Sequence, residues 1–239
     1  MSDEFIRQKM LLGPQAMQAL ASSHVAMFGI GGVGSYASEA LARAGIGELT
    51  FVDHDVIGES NINRQAVALH STLGRSKAEC MAERALDINP ACSVHAVTTR
   101  YSADTRHLFD FASFDYIIDA IDLVSCKIDL ILTARELGVP VISALGTGNK
   151  LDSSLFRVTD ISKTENCPLA RVMRKELRHR GVNHHTVVYS PELALSPSDE
   201  PGEAPPPGRR SIPGSVSWVP GSAGMLLAGA VIKSLINPK

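Results

Sequence analysis

The residues best suited to chemistry in this chain begin with Gly29-Ile30-Gly31-Gly32-Val33-Gly34-Ser35, set between an apolar run at 24–30 and a helically spaced stretch at 35–44. Glycines there permit a tight turn and let a phosphate approach backbone amides at a helix N-terminus. Asp53 closes the next apolar run, at 49–52, and is placed to take a ribose hydroxyl pair. A nucleotide site follows. Most bare matches to this pattern are dinucleotide oxidoreductases, but what comes next does not serve one. Arg64 and Lys77 supply two cations, and Asp119-Ala120-Ile121-Asp122 ends a later strand at the carboxyl edge of the sheet. Two cations and an acid suit a triphosphate with Mg²⁺: Arg64 and Lys77 to brace the phosphates, Asp122 to hold the metal. Asp119 reads as a strand-end turn former. Singly, each charge would be an ordinary solvated side chain; the ordered set carries the inference.

The elements that must position these residues alternate along the chain. The patterning predicts strands at 24–30, 49–52, 93–97, 116–118 and 139–143, with helices at 35–44, 74–88 and 125–137. Such alternation argues for right-handed βαβ units. The expected fold is therefore α/β: a Rossmann-like open, mostly parallel sheet with helices on both faces. Beyond 150 the pattern is less regular, with strands expected at 156–158, 186–189 and 215–219 and helices at 168–180 and 222–236. The stretch 191–214 holds seven of the thirteen prolines and reads as an irregular or mobile loop. The expectation is one domain over 1–239, a nucleotide-binding part at 1–150 and a C-terminal sheet extension at 151–239.

Composition narrows the classes. The 239 residues are 44% hydrophobic and 20% charged, ordinary for a globular protein and unlike a disordered or collagen-like one. A net charge of −2 means that a nucleic-acid partner must be met by a local basic patch. Cys80, Cys92, Cys126 and Cys167 include no C-x-x-C pair, so neither a zinc ribbon nor a secreted disulfide framework is expected. The N-terminus lacks a signal-peptide pattern, and the late apolar run at 221–232 is short for a bilayer. A cytoplasmic protein with no membrane association is the expectation. His184-His185 reads as a loop pair.

The loop Gly29, Gly31, Gly32 and Gly34, with Asp53, Asn61, Arg64, Lys77 and Asp122, resembles the adenylation motif of the E1-like (ThiF-type) superfamily. The closer resemblance is to the tRNA threonylcarbamoyladenosine dehydratase family. It rests on Arg43-Ala44-Gly45-Ile46-Gly47, Ala144-Leu145-Gly146-Thr147-Gly148-Asn149-Lys150, Cys167-Pro168-Leu169-Ala170 and Gly214-Ser215-Val216-Ser217-Trp218-Val219-Pro220. That resemblance implies ATP and Mg²⁺ as cofactors, with Asn61 and Asp55 among the nucleotide contacts. It implies cyclisation of a tRNA nucleoside through an acyl-adenylate, releasing pyrophosphate and AMP. It also implies a homodimer in which Arg7 serves the neighbouring site, and it leaves room for a sulfurtransferase-type partner.

The helix at 168–180 carries Arg171, Arg174, Lys175 and Arg178 at helical spacing, a candidate tRNA phosphate contact. The zinc that some relatives hold is not carried over, because the cysteine pairs are absent. Cys167 lies where protein-activating E1 enzymes place a nucleophile, yet the proline after it also suits a structural thiol. Three other readings share the glycine loop: adenylation of a sulfur-carrier C-terminus, an NAD-dependent oxidoreductase, and a non-catalytic nucleotide binder. Arg64, Lys77 and Asp122 weigh against the last two.

Overall fold

A computed structural model describes residues 3–196 and 213–237. Its centre is β1 (His24–Phe28), five residues buried throughout, because this apolar run is covered on both faces. Around it lie β2 (Glu48–Val52), β3 (Ser93–Val97), β4 (Tyr116–Asp119), β5 (Val141–Ala144), β6 (Arg157–Asp160) and β7 (Thr186–Tyr189). The sheet order is β3-β2-β1-β4-β5-β7-β6. Every neighbouring pair is parallel except β6 with β7. This is the open, mostly parallel sheet expected from the alternation, with β7 and β6 as its C-terminal extension. Chain order reverses between β1 and β4, and a crevice opens there beyond the carboxyl ends of the strands.

The helices are α1 (Ile6–Leu12), α2 (Pro14–Ala21), α3 (Gly34–Arg43), α4 (Lys77–Ile88), α5 (Val124–Glu136), α6 (Pro168–His179) and α7 (Trp218–Ile236). Alternate residues of each strand face opposite ways. Val25 and Met27 join the core under α3, α4 and α7, while Ala26 and Phe28 join the core against α5. A third core lies between α5 and α6, around Ile131, Met173 and Leu177.

Three expectations need correction. The helix expected from 74 starts at Lys77, because Ser76 caps it by accepting a hydrogen bond from the Glu79 amide. The strand expected at 215–219 does not form; α7 begins at Trp218. Pro220 is compatible with a first helical turn, where its missing N–H would have no partner, and Val219 is buried. The expected helix at 222–236 is thereby lengthened, and by length and composition α7 is apolar enough to cross a membrane. Its buried side, Val219, Ala223, Leu227 and Val231, packs into the first core, as a core helix does. Most of the loop expected at 191–214 lies outside the described residues.

Beneath the β4 end sits a charge pair that no solvent reaches. Lys127 Nζ lies 2.9 Å from Asp119 Oδ2, and both side chains are fully buried. Lys127 also donates to Ile121 O at 3.1 Å, and Asp119 Oδ1 accepts from the Ile121 amide at 3.1 Å. Asp119 is thus a turn former, as its position suggested, and also half of a buried pair. Nearby, His185 is buried and its Nε2 is 2.8 Å from Ser143 Oγ. Burial, reinforced by the charges of Lys127 and Arg135, pushes the imidazole down to about 3. Only His184 behaves as a loop residue, exposed beside Asp160 at 3.3 Å.

Removing one member of a buried pair strands the other charge, at a cost of about 3–5 kcal/mol. Lys127→Met should lose stability on that scale in urea unfolding, and adding Asp119→Asn should recover part of it. Equal loss in the single and double variants would show that the pair is not what holds this region. His185 gives a pH test. The unfolded chain takes up a proton near pH 6.5 that the folded chain refuses until about 3. Stability is therefore full above pH 6.5 and falls as pH is lowered, by up to about 1.4 kcal/mol per pH unit. His185→Gln should flatten the slope between pH 6.5 and 5.5, and an unchanged slope would contradict the assignment.

Candidate nucleotide and acyl-transfer site

A cavity of about 520 Å³ opens at the carboxyl ends of β1, β2, β4 and β5. Its floor is the glycine turn after β1. Gly29 has φ +96°, and a Cβ there would stand 2.7 Å from Ala120 O, so β1 and β4 exit in backbone contact. At Gly34 a Cβ would stand 1.8 Å from Gly29 O. Gly31 differs: it lines the cavity, and a Cβ there meets nothing within 4 Å. The turn feeds α3, whose first residue is preceded by Val33 with no side-chain cap. An uncapped helix start with a bare backbone beside it is an anion site by geometry and dipole. Gly32 and Val33 complete this wall.

The side chains predicted from sequence surround this floor. Asp53 Oδ2 accepts from the Ile30 amide at 2.6 Å, and its Oδ1 accepts from the Asp55 amide at 2.9 Å. A carboxylate has about four acceptor positions, so Asp53 can hold the glycine turn and still accept ribose hydroxyls. Lys77, at the start of α4, is buried to 6% exposure, with Nζ 2.8 Å from Asp55 Oδ2. Burial alone would raise the Asp55 carboxyl, but the Lys77 hydrogen bond and charge outweigh it and hold it below its ordinary value. Asp55 therefore orients the lysine before any ligand arrives. Asn61 Oδ1 accepts from the Gly58 amide at 3.2 Å, closing the turn that carries Arg64. The Arg64 Nη1 donates to Asn63 Oδ1 at 2.9 Å and to Ser60 O. Asp122 faces the same cavity from the turn held by Lys127 and Asp119. Asp53, His54 and Asp55 lie close enough together to hold a metal ion. The carboxylates of Asp53 and Asp55 are already engaged by backbone amides and by Lys77.

Two groups of predicted residues stand outside the cavity wall. Arg7 is exposed on α1 and is not part of the lining. The α6 cations divide. Arg171, Lys175 and Arg178 are exposed, whereas Arg174 donates to Thr164 Oγ1 at 2.6 Å and to Thr164 O at 2.9 Å. Arg174 thus ties down the turn before α6, and three cations remain for an outside partner. Leu169, in the first turn of α6, reaches the cavity wall. Cys167 is a buried free thiol that caps α6 through the Ala170 amide at 3.5 Å.

Sequence reasoning missed the walls to either side. Thr99, Arg100 and Tyr101, after β3, line the end beyond Asp53. Gly146, Thr147 and Gly148, after β5, line the opposite end with Pro213 and Ser215. Asn149 joins that second wall: its Oδ1 accepts from the Gly214 amide at 2.6 Å and its amide donates to Gly214 O at 2.8 Å. Asn149 adopts φ +58°, which asparagine tolerates better than most side chains. Lys150 is buried beside it, donating to Ser190 O at 3.3 Å and to Glu192 O.

Fold and cavity define an α/β protein of the doubly wound class, with a glycine turn, a helix start and a buried lysine gathered at one cavity beyond the strand ends. Residues 5–239 match the model of the ThiF family, and the chain belongs to that family. It is 37% identical over 244 residues to the tRNA threonylcarbamoyladenosine dehydratase of Bacillus subtilis, covering 99% of this chain and 96% of that one. The crystal structure of E. coli tRNA N6-threonylcarbamoyladenosine dehydratase, TcdA, in complex with AMP is similar at TM-score 0.88 and 33% identity. That match covers 98% of this chain and 94% of the other. The same E. coli protein in complex with ATP matches at TM-score 0.87 and 34% identity over the same shares.

The glycines give a paired test. Gly34→Ala should destabilise the fold, because its methyl would meet the Gly29 carbonyl and rigid backbone must move. Gly31→Ala should keep the melting temperature and weaken nucleotide binding, because its methyl would fill space that a phosphate needs. Thermal melts with and without ATP separate the two. Equal melting temperatures, with equal ATP shifts, would refute this account of the turn.

Proposed function

We propose that this protein is an ATP-dependent tRNA threonylcarbamoyladenosine dehydratase that cyclises its nucleoside substrate through an acyl-adenylate. The observation that carries the reading is one cavity whose lining joins an uncapped helix start and a buried lysine to the Gly146–Gly148 loop after β5. The first half suits a triphosphate, and the second leaves room for a carboxylate to approach its α-phosphate.

The chemistry balances. A carboxylate oxygen of the threonyl group bonds to the α-phosphorus of ATP as the bond to the bridging oxygen breaks, and pyrophosphate leaves. The carbamoyl oxygen then attacks the activated carbonyl carbon, the carbonyl–phosphate oxygen bond breaks, and AMP departs with the oxygen formally lost as water. A carbamoyl N–H proton goes to solvent. No covalent enzyme intermediate is needed, so Cys167 is a structural thiol in this reading. The α3 N-terminus with Gly31 and Gly32 receives phosphate, Asp53 takes the ribose, and Lys77 and Arg64 stabilise charge gathering on the phosphates. Asp122 offers a hard oxygen suited to Mg²⁺, which would screen the triphosphate charge. Arg171, Lys175 and Arg178 meet RNA phosphates, and tRNA as substrate places the enzyme in the cytoplasm. Arg7, outside its own chain's cavity, serves the site of the other subunit in a homodimer. No zinc is required, and a sulfurtransferase-type partner is left to experiment.

The test uses tRNA carrying the open nucleoside, with ATP and Mg²⁺, and reads AMP release together with loss of one water by mass spectrometry. AMP release without a change in the nucleoside would favour a protein substrate instead. Lys77→Ala should lower the rate about 10²–10³-fold, the scale for losing one charge-stabilising donor. Arg7→Ala should be similarly impaired. Mixed and reassembled, the two variants should regain about a quarter of wild-type activity, since half of randomly paired dimers hold one intact site. No recovery would place Arg7 in its own chain's function.

A further inference from the structure

We propose that Trp218 is a stacking platform for an unpaired base of the RNA loop that delivers the reacting nucleoside. The inference rests on the tRNA reading above and adds a residue outside the ATP and acyl compartments. Trp218 is the only tryptophan of the chain and opens α7. It is 53% exposed, beside Leu151 at 51%. Its orientation is nevertheless fixed, because Nε1 donates to Leu151 O at 2.8 Å. A ring tethered at its one polar atom presents a flat apolar face at little further entropic cost.

Its position gives that face an occupant. Ser215 and Pro220, on either side of Trp218 in sequence, both line the cavity, and Leu151 follows the Gly146–Gly148 wall by three residues. Leu169 enters the same cavity from α6, on the other face of the sheet. An RNA strand feeding a nucleoside into the cavity beside β5 would meet the start of α6, the helix that bears Arg171, Lys175 and Arg178, and the indole of α7. A nucleoside that reacts at a side chain of its base must leave the stack. Proteins hold such loops by phosphate contacts and by stacking bases on aromatic rings. A cation ladder on one side and one fixed indole on the other match that division.

The single tryptophan makes the test direct, since all indole emission comes from Trp218. The ligand is an anticodon stem-loop RNA carrying threonylcarbamoyladenosine, titrated into the full-length protein. Binding should quench the emission and shield it from acrylamide. Trp218→Ala should bind this RNA about 10- to 100-fold more weakly, the range for one lost base stack. Trp218→Phe should stay within about threefold of wild type, and all three proteins should give the same ATP-induced thermal shift. RNA that binds without altering the emission, with wild-type affinity in Trp218→Ala, overturns the proposal while leaving the dehydratase reading intact. Emission already shielded before RNA is added, and responsive to protein concentration, assigns the indole to a second copy of the chain and also overturns it. If wild-type protein does not dehydrate the RNA with ATP, the functional reading fails, and the stacking proposal with it.

Discussion

The cavity depends on the approach of two strand ends that no side chain could separate. β1 and β4 leave the sheet so close together that the position facing Ala120 O must be glycine. Holding β4 in that place requires its own exit turn to be rigid, and the Lys127–Asp119 pair supplies the rigidity from below. Lys127 takes Ile121 O, Asp119 takes the Ile121 amide, and both backbone groups of one cavity-lining residue are thereby committed. In a low-dielectric interior such a pair contributes little net stability. Its effect is geometric: it engages both backbone groups of Ile121, the residue before Asp122. The glycine floor and the acid above it are thus set by one buried charge pair and one backbone contact.

How much of this was legible in the sequence follows from the range of each interaction. Apolar runs with helical spacing between them gave the parallel strands, since burial on both faces is written locally. The glycine turn, Asp53 and Lys77 were found because they stand at fixed offsets from strand ends. Lys127 was not found. It sits between Cys126 and Ile128, inside an apolar face, and only a carboxylate eight residues earlier explains a charge there. His185 was misjudged for the same reason: its partner Ser143 is far away in sequence. The strand expected at 215–219 failed because Trp218-Val219 has strand propensity, whereas tertiary packing turned Val219 into the first core residue of a helix. Arg174 looked identical to Arg171 by spacing, and only the turn carbonyls beneath it distinguish the two. Local pattern located the nucleotide half of the cavity, and long-range contacts built the other half.

That asymmetry has a physical basis. A phosphate is recognised by backbone amides and a few charges, so its site can be held by one turn, one strand end and one helix start. The β5 end of the cavity has no such turn, and its wall is assembled from three distant segments: Gly146–Gly148, Leu169, and Pro213 with Ser215. Asn149 is the fastening among them. Its side-chain oxygen and its amide bind both backbone groups of Gly214, and its carbonyl accepts from the Leu195 amide at 2.8 Å. Three hydrogen bonds from one residue, one through its side chain and two through its backbone, bring the β5 loop and the approach to α7 into register. A wall made in this way can change its lining without disturbing the strands that hold the nucleotide.

The same separation divides the cavity lining by its distance from the centre of the sheet. The glycine turn, the α3 start, Asp53 and Lys77 line the part of the cavity that is anchored to the centre of the sheet. The rest of the lining comes from the loop after β5, the start of α6 and the approach to α7 together with Pro220. Here that edge carries exposed cations on one side and a tethered indole on the other, a surface suited to a flexible anionic chain with aromatic bases. The middle of the sheet is therefore held by the backbone contact of Gly29 with Ala120, and the lining toward the margin is free of that packing constraint.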